Sequence, residues 1–210
     1  MNWTQIHPNI YLWRDSCNVY AVIGPAGALI INAGTGAWLG DLDALPAQPV
    51  ALVCTHFFRD HSAGAARAGA AGIPLFVPEG ERAIFVDPAQ HFRQRDTYII
   101  YDNYWDLFAP IEAAAVADVL RDYAQLQLAG LDVEVVPLPG VTVHHTGLAV
   151  RLGIQRVIFC GEAIHSHGKV ARVAPFQYNY NDLGGAVNAF WSARDLRRRA
   201  PDALLPSTAS

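Results

Sequence analysis

Short apolar runs of four to seven residues, separated by turn-forming residues, dominate the hydrophobic pattern of this chain. Residues 19–23 and 28–31 are such runs, and Gly24-Pro25-Ala26-Gly27 between them predicts a β-hairpin. A third run, 50–54, reads as a buried strand, and the alanine-rich stretch 62–71 after it is helix-prone and leads to a short strand at 73–77. Residues 79–125 carry few strand signals and many aromatics among aspartates and arginines, which predicts a helical excursion there. A second β-rich half follows at 126–128, 131–137, 148–152 and 156–160, punctuated by Gly130, Gly140 and Gly153. Residues 185–199 then form an amphipathic helix with Val187, Phe190, Trp191 and Leu196 expected inward, and 203–205 would be a last strand. Both halves thus run from strands to helix. That rhythm predicts an α/β chain folded as a four-layer αββα sandwich, two sheets inside and helices outside, forming one domain over 1–210.

Composition narrows the function classes. A hydrophobic content of 52% is ample for a core, while a net charge of -4 and a pI near 6.0 argue against a basic nucleic-acid-binding face. The one arginine-rich run, 194–199, reads as the solvated side of a helix. Residues 16–40 lack any charge, but their five glycines and central Gly-Pro break exclude a membrane span. The N-terminus shows no basic patch followed by an apolar stretch, and Cys17, Cys54 and Cys160 form no C-x-x-C, so a cytoplasmic protein without disulfides is expected.

Histidines carry the chemistry. Six of the eight fall in three tight groups, His56 with His61, His144 with His145, and His165 with His167, each just past a predicted strand. In an α/β sheet the carboxyl ends of strands converge on one crevice, so distant groups can meet there. Buried imidazoles beside carboxylates are costly unless they share a cation, which makes a common metal site the natural reading.

The segment His56-Phe57-Phe58-Arg59-Asp60-His61 resembles the H-x-H-x-D-H signature of the metallo-β-lactamase superfamily. In order along the chain, Leu29-Ile30-Ile31-Asn32-Ala33-Gly34 is similar to that family's "LIDAG" turn. Leu138-Pro139-Gly140 with His144-His145-Thr146-Gly147 is similar to a reworked "PGHTPG", and Val157-Ile158-Phe159-Cys160-Gly161-Glu162 to "VLFTGD". The resemblance implies the αββα sandwich and a metal-dependent hydrolase acting on an ester, thioester, lactone or phosphoester. Implied ligands are His56, Asp60, His61 and Glu162, with Asp60 either a ligand or the catalytic base that orients water. Asp60 has an alternative as a helix cap.

Several positions depart from the family pattern. Phe58 stands at its second histidine, Asn32 at an aspartate, Glu162 at the bridging aspartate and Val141 at its third histidine, while Thr208-Ala209-Ser210 lacks a closing histidine. One ion rather than two is therefore expected: zinc first, with iron or manganese as alternatives. His144 or His145 could replace a lost ligand, giving with His56 and Glu162 a two-histidine, one-carboxylate set that also suits Fe(II) and an oxygenase. His165, His167 and Tyr178 are the candidate substrate-binding residues. A small-molecule substrate is expected, with neither nucleic acid nor membrane as partner and a homodimer left open. The competing reading is a non-catalytic descendant whose crevice binds a ligand.

Overall fold

The computed structural model describes residues 2–94, 111–166, 169 and 184–208. Among these, twelve strands form two sheets. The larger has the order β1 (Thr4–His7), β2 (Ile10–Arg14), β3 (Asn18–Gly24), β4 (Gly27–Ile31), β5 (Pro49–Val53), β6 (Leu75–Pro78) and β7 (Val116–Leu120). Its first four strands are an antiparallel meander and β4 to β7 run parallel. The smaller sheet has the order β12 (Ala203–Pro206), β11 (Gln155–Gly161), β10 (Thr146–Leu152), β9 (Leu131–Pro137) and β8 (Gln125–Leu128), antiparallel except for the parallel pair β11–β12.

Three apolar cores show how the layers stack, because successive strand side chains point to opposite faces. Between the sheets, Tyr20 and Val22 of β3 and Leu29 and Ile31 of β4 meet Val133, Val135, Leu148 and Phe159. The alternate residues Val19, Ala21, Ala28 and Ile30 face outward onto Ala65 and Ala68 of α2 (Ala65–Ala70) and Ile84 and Phe85 of α3 (Arg82–Val86). On the smaller sheet, Val157 and Phe159 point inward while Ile158 and Cys160 meet Leu196. The order is helix, sheet, sheet, helix, as the sequence predicts. No described helix is long and apolar enough to cross a membrane.

The hairpin at β3–β4 pairs Tyr20 with Ile31 and Gly24 with Gly27, as its breaker predicts. The 79–125 stretch is helical only in part: α3 and α4 (Pro88–Gln94) follow a 3-10 turn at Glu79–Glu81, but Val116–Leu120 is strand β7, and 95–110 lie outside the described residues. The inward face of helix α5 (Gly185–Arg199) also differs from expectation. Leu196 is 1% exposed, yet Val187, Phe190 and Trp191 are 58%, 62% and 52% exposed. Small residues face the sheet instead: Gly185 and Ser192 are buried, Ser192 donates to the Pro139 carbonyl, and a Cβ on Gly140 would overlap Ala189. Close approach of backbones selects that face and leaves the aromatics outside, where Arg194 lies over the Trp191 ring at 5.0 Å. Nor is the arginine run wholly solvated. Arg199 pairs with Asp195 and Glu134, and Arg156 reaches the other Glu134 oxygen at 2.8 Å, tying α5 to β9 and β11.

Parallel strands place the site. The carboxyl ends of β4, β5 and β6 bring Asn32, His56 and Glu81 to one rim, and those of β11 and β12 bring Glu162 and Ser207 to the facing rim.

Candidate metal centre

The loop after β5 is held by Asn32, whose backbone takes the left-handed conformation at φ 64°. Asn tolerates that conformation better than most residues. Its Oδ1 accepts from the Thr55 backbone N–H and from Thr55 Oγ1, both at 3.0 Å, and Thr55 Oγ1 lies 3.0 Å from His56 Nδ1. Since the Thr55 hydroxyl proton is committed to Asn32, the hydrogen-bond network assigns the His56 proton to Nδ1, which donates to Thr55 Oγ1. The lone pair of His56 therefore sits on Nε2. That atom is buried, has no hydrogen-bond partner among the described residues, and lies 3.8 Å from Glu162 Oε2. An acceptor oxygen is all this relay needs, which explains how asparagine serves at position 32.

His61 lies on α1 (Arg59–Ser62), the turn that continues the loop. Its carbonyl accepts from the Ala33 and Gly34 N–H groups, and Ser62 Oγ donates back to the Phe57 and Phe58 carbonyls, so the segment is fixed from both sides. The buried ring lies 4.4 Å from the His56 ring between centroids. His61 Nδ1 is 3.1 Å from Asp60 Oδ1, an ion-pair distance with bent geometry, while Nε2 is 2.7 Å from Ser207 Oγ and 4.0 Å from Glu162 Oε1. Asp60 is in the first turn of α1 and caps no helix: Phe58 is at the cap position. Ser207, His61 and Asp60 follow the order of a nucleophile, base and orienting carboxylate. Ser207 is however 1% exposed, so its hydroxyl serves the ring and not a substrate.

On the facing rim, the Glu162 N–H donates to His145 Nε2 at 3.2 Å, and His145 Nδ1 meets the Leu138 carbonyl at 3.0 Å. Both ring nitrogens are engaged, Nδ1–H as donor and Nε2 as acceptor. His145 thus stands beside His56, 4.9 Å between centroids, as a brace for Glu162 without a free lone pair. Gly161 makes that possible, because a Cβ there would lie 2.3 Å from His145 Nε2. His144 is exposed, its ring over Gly80, and is not brought to the cluster. The expected set of His56, a histidine of the 144–145 pair and Glu162 is therefore not assembled. His165 is exposed, and its proximity acts against the burial that raises the Glu162 pKa. His167 and Tyr178 lie outside the described residues.

Burial, reinforced by the neighbouring rings His61 and His145, holds the His56 pKa well below the usual imidazole range. Burial likewise takes His145 down to about 3, so both rings are neutral at neutral pH and only His56 keeps a lone pair able to coordinate. Burial raises the Glu162 pKa, opposed by His61. For Asp60, burial pushes upward, but the contact with His61 outweighs it and leaves the carboxyl below its ordinary value. Asp60, His61 and Glu162 offer ligand atoms within 4.8 Å of one another, and the unpartnered His56 Nε2 faces the same carboxylate. One imidazole and two carboxylates thus suit one divalent cation, with the His56 nitrogen as a neighbouring donor beside Glu162. Phe58 fills the position of a further histidine with an apolar ring set edge-on to His56 at 4.9 Å, and Val141 is buried.

Two site residues escaped sequence reasoning. Glu81 is buried directly after β6, where it accepts from Thr142 Oγ1 and the Phe57 N–H and so joins the loop of His56 to the loop before His145. Burial raises its pKa to about 8. Ser207 follows β12. The signal for both was their place just past a strand's carboxyl end, the same rule that located the histidines.

Comparison with solved structures gives the same fold. A Cronobacter sakazakii metallo-beta-lactamase with a HARLDQ motif superposes with TM-score 0.74 at 16% identity, covering 98% of this chain and 80% of that one. A beta-lactamase from Chitinophaga pinensis gives 0.74 at 14%, covering 99% and 78%. A subclass B3 metallo-beta-lactamase of Bradyrhizobium japonicum gives 0.69 at 17%, covering 99% and 77%. Among curated proteins, none matches. The family description that does match is the metallo-beta-lactamase superfamily, over residues 12–207, and with the motif series now seen on the rims of two facing sheets, the chain belongs to that superfamily.

Proposed function

We propose that this chain is a metal-dependent hydrolase holding one divalent ion, zinc foremost, between His56, Asp60, His61 and Glu162. The observation that carries the reading is a buried imidazole nitrogen without a partner among the described residues, His56 Nε2, 3.8 Å from Glu162, itself one of a cluster of metal-ligating groups. Such a nitrogen loses its hydrogen bond to water on folding and regains nothing unless something else binds there. A bound divalent ion would supply a Lewis acid and a water of lowered pKa. Asp60, held ionised beside His61 and with its side chain 47% exposed, is placed at the solvent edge to orient a water and accept its proton. Glu162 and His56 form the inner wall, and Phe57 and Phe58 exclude water from it.

Phe58 favours one ion over two by removing a nitrogen donor. The Cronobacter protein is described as a metallo-beta-lactamase although its HARLDQ motif, set against His56-Phe57-Phe58-Arg59-Asp60-His61, has arginine at that third position. Loss of an imidazole there is thus no argument against hydrolysis. The substrate is a small molecule, with ester, thioester, lactone, phosphoester and β-lactam bonds as the candidates. One cytoplasmic domain over 1–210, with a homodimer open, completes the proposal.

Elemental analysis of protein purified without chelator, followed by assay of one chromogenic substrate from each class, tests it. Bound zinc, with hydrolysis lost in Glu162→Gln and in His56→Ala, is the expected result. Protein that takes up neither zinc, manganese nor iron would end the reading. Metal without turnover would favour the ligand-binding descendant, and iron with dioxygen uptake the oxygenase.

A further inference from the structure

The geometry points to Ser207 as the residue that sets how strongly His61 can hold an ion, an inference that rests on the metal-centre reading above. Its Oγ lies 2.7 Å from His61 Nε2 in a buried setting, and Asp60 stands at the opposite ring nitrogen. With the carboxylate beside Nδ1, the singly protonated ring keeps its proton there, and Nε2 accepts the Ser207 hydroxyl proton. The lone pair that would meet a cation is thereby capped. His56 Nε2, only a ring away, is not. The two imidazoles of the cluster thus differ: one is ready, the other is held by an internal competitor.

That competitor cannot easily withdraw. The Ser207 N–H donates to the Gly161 carbonyl at 2.8 Å, and its own carbonyl accepts from the Asn18 N–H at 2.6 Å. On either side of it, Tyr20 OH and Asn18 Nδ2 hold the Pro206 carbonyl, and Asn18 Nδ2 also reaches the Thr208 carbonyl at 3.0 Å. The backbone is pinned to β3 and β11, so only rotation about the Cα–Cβ and Cβ–Oγ bonds is left to free the ring. An ion using His61 Nε2 must break one buried hydrogen bond and leave a hydroxyl without its acceptor. A bond of this kind contributes about 0.5–1.5 kcal/mol net, equivalent to roughly twofold to tenfold in affinity.

The test is a zinc titration of metal-free protein against a competing chromophoric chelator, comparing wild type, Ser207→Ala and Ser207→Thr. Ser207→Ala is expected to bind zinc about twofold to tenfold more tightly than wild type, while Ser207→Thr, which keeps the hydroxyl, binds as wild type does. Equal or weaker binding by Ser207→Ala overturns this inference and leaves the metal reading intact. Absence of zinc binding in all three proteins overturns the metal reading, and this inference with it. Long-range proton–nitrogen NMR spectra of the metal-free wild type give a second readout that needs no variant. His61 protonated at Nδ1 supports the inference, and His61 protonated at Nε2 overturns it.

Discussion

Glu81→Gln should be more stable than wild type at pH 8 and less stable near pH 4.5, the two curves crossing in between. The carboxyl of Glu81 is buried, accepts from Thr142 and the Phe57 N–H through one side, and leaves Oε2 without a partner among the described residues. Burial raises its pKa from 4.5 to about 8. The folded state therefore keeps a proton that the unfolded chain releases above pH 4.5, and stability falls as pH rises from there to about 8, beyond which this group adds no further slope. At about 1.4 kcal/mol per tenfold change in proton affinity, the loss reaches about 3 kcal/mol at pH 7 and about 5 kcal/mol above pH 8. Glutamine cannot ionise, retains a carbonyl oxygen for the two donors and is isosteric, so it escapes that loss. Its extra N–H pair, buried without an acceptor, costs about 1–3 kcal/mol at every pH. The difference between the two proteins in urea unfolding at pH 5, 6, 7 and 8, both metal-free, isolates this one group because all others titrate alike. A difference that stays flat across that range would show that Glu81 is ionised in the folded protein and would refute the reasoning.

Gly161→Ala places a methyl against His145 Nε2 at a φ of 54°, and should destabilise by about 1–3 kcal/mol while loosening Glu162; thermal unfolding together with zinc titration checks both effects. Asn32→Ala removes the acceptor that orders Thr55 and His56 and puts alanine in a left-handed conformation, and should cost about 1–3 kcal/mol in urea unfolding and weaken zinc binding by at least tenfold. Leu196→Ala, which empties the contact between α5 and the smaller sheet, should cost about 2–5 kcal/mol with zinc affinity preserved in the fraction that stays folded. Loss of zinc binding in folded Leu196→Ala would show that α5 shapes the centre directly.

Most strands of the two sheets coincide with short apolar runs, and Leu131–Pro137 is bounded in the structure as its pattern predicts, whereas Val116–Leu120 lies in a stretch whose composition predicts helix. Position 58 was equally plain, since a phenylalanine supplies no ligand whatever the fold does. What the pattern could not reveal was the direction of a lone pair. His145 is at the site as its motif implies, but the Glu162 N–H and the Leu138 carbonyl consume both its nitrogens, and those partners come from other loops. The inward face of α5 was misjudged because hydrophobicity favoured Phe190 and Trp191, whereas the close approach of Gly140 to Ala189 favoured small residues. Ser207 carries no sequence signal as a partner of His61, since 146 positions separate them.

That separation bears on how the protein folds. Asn18 and Tyr20, near one end of the described chain, hold Pro206 and Ser207, near the other, so these contacts close a loop of nearly the whole described chain. Contacts this distant in sequence require large loops to close before any reward is gained, and they form slowly. On dilution from denaturant, circular dichroism should therefore recover ahead of the capacity to bind zinc, with the meander of β1 to β4 as the early partner and the centre as a late product of folding.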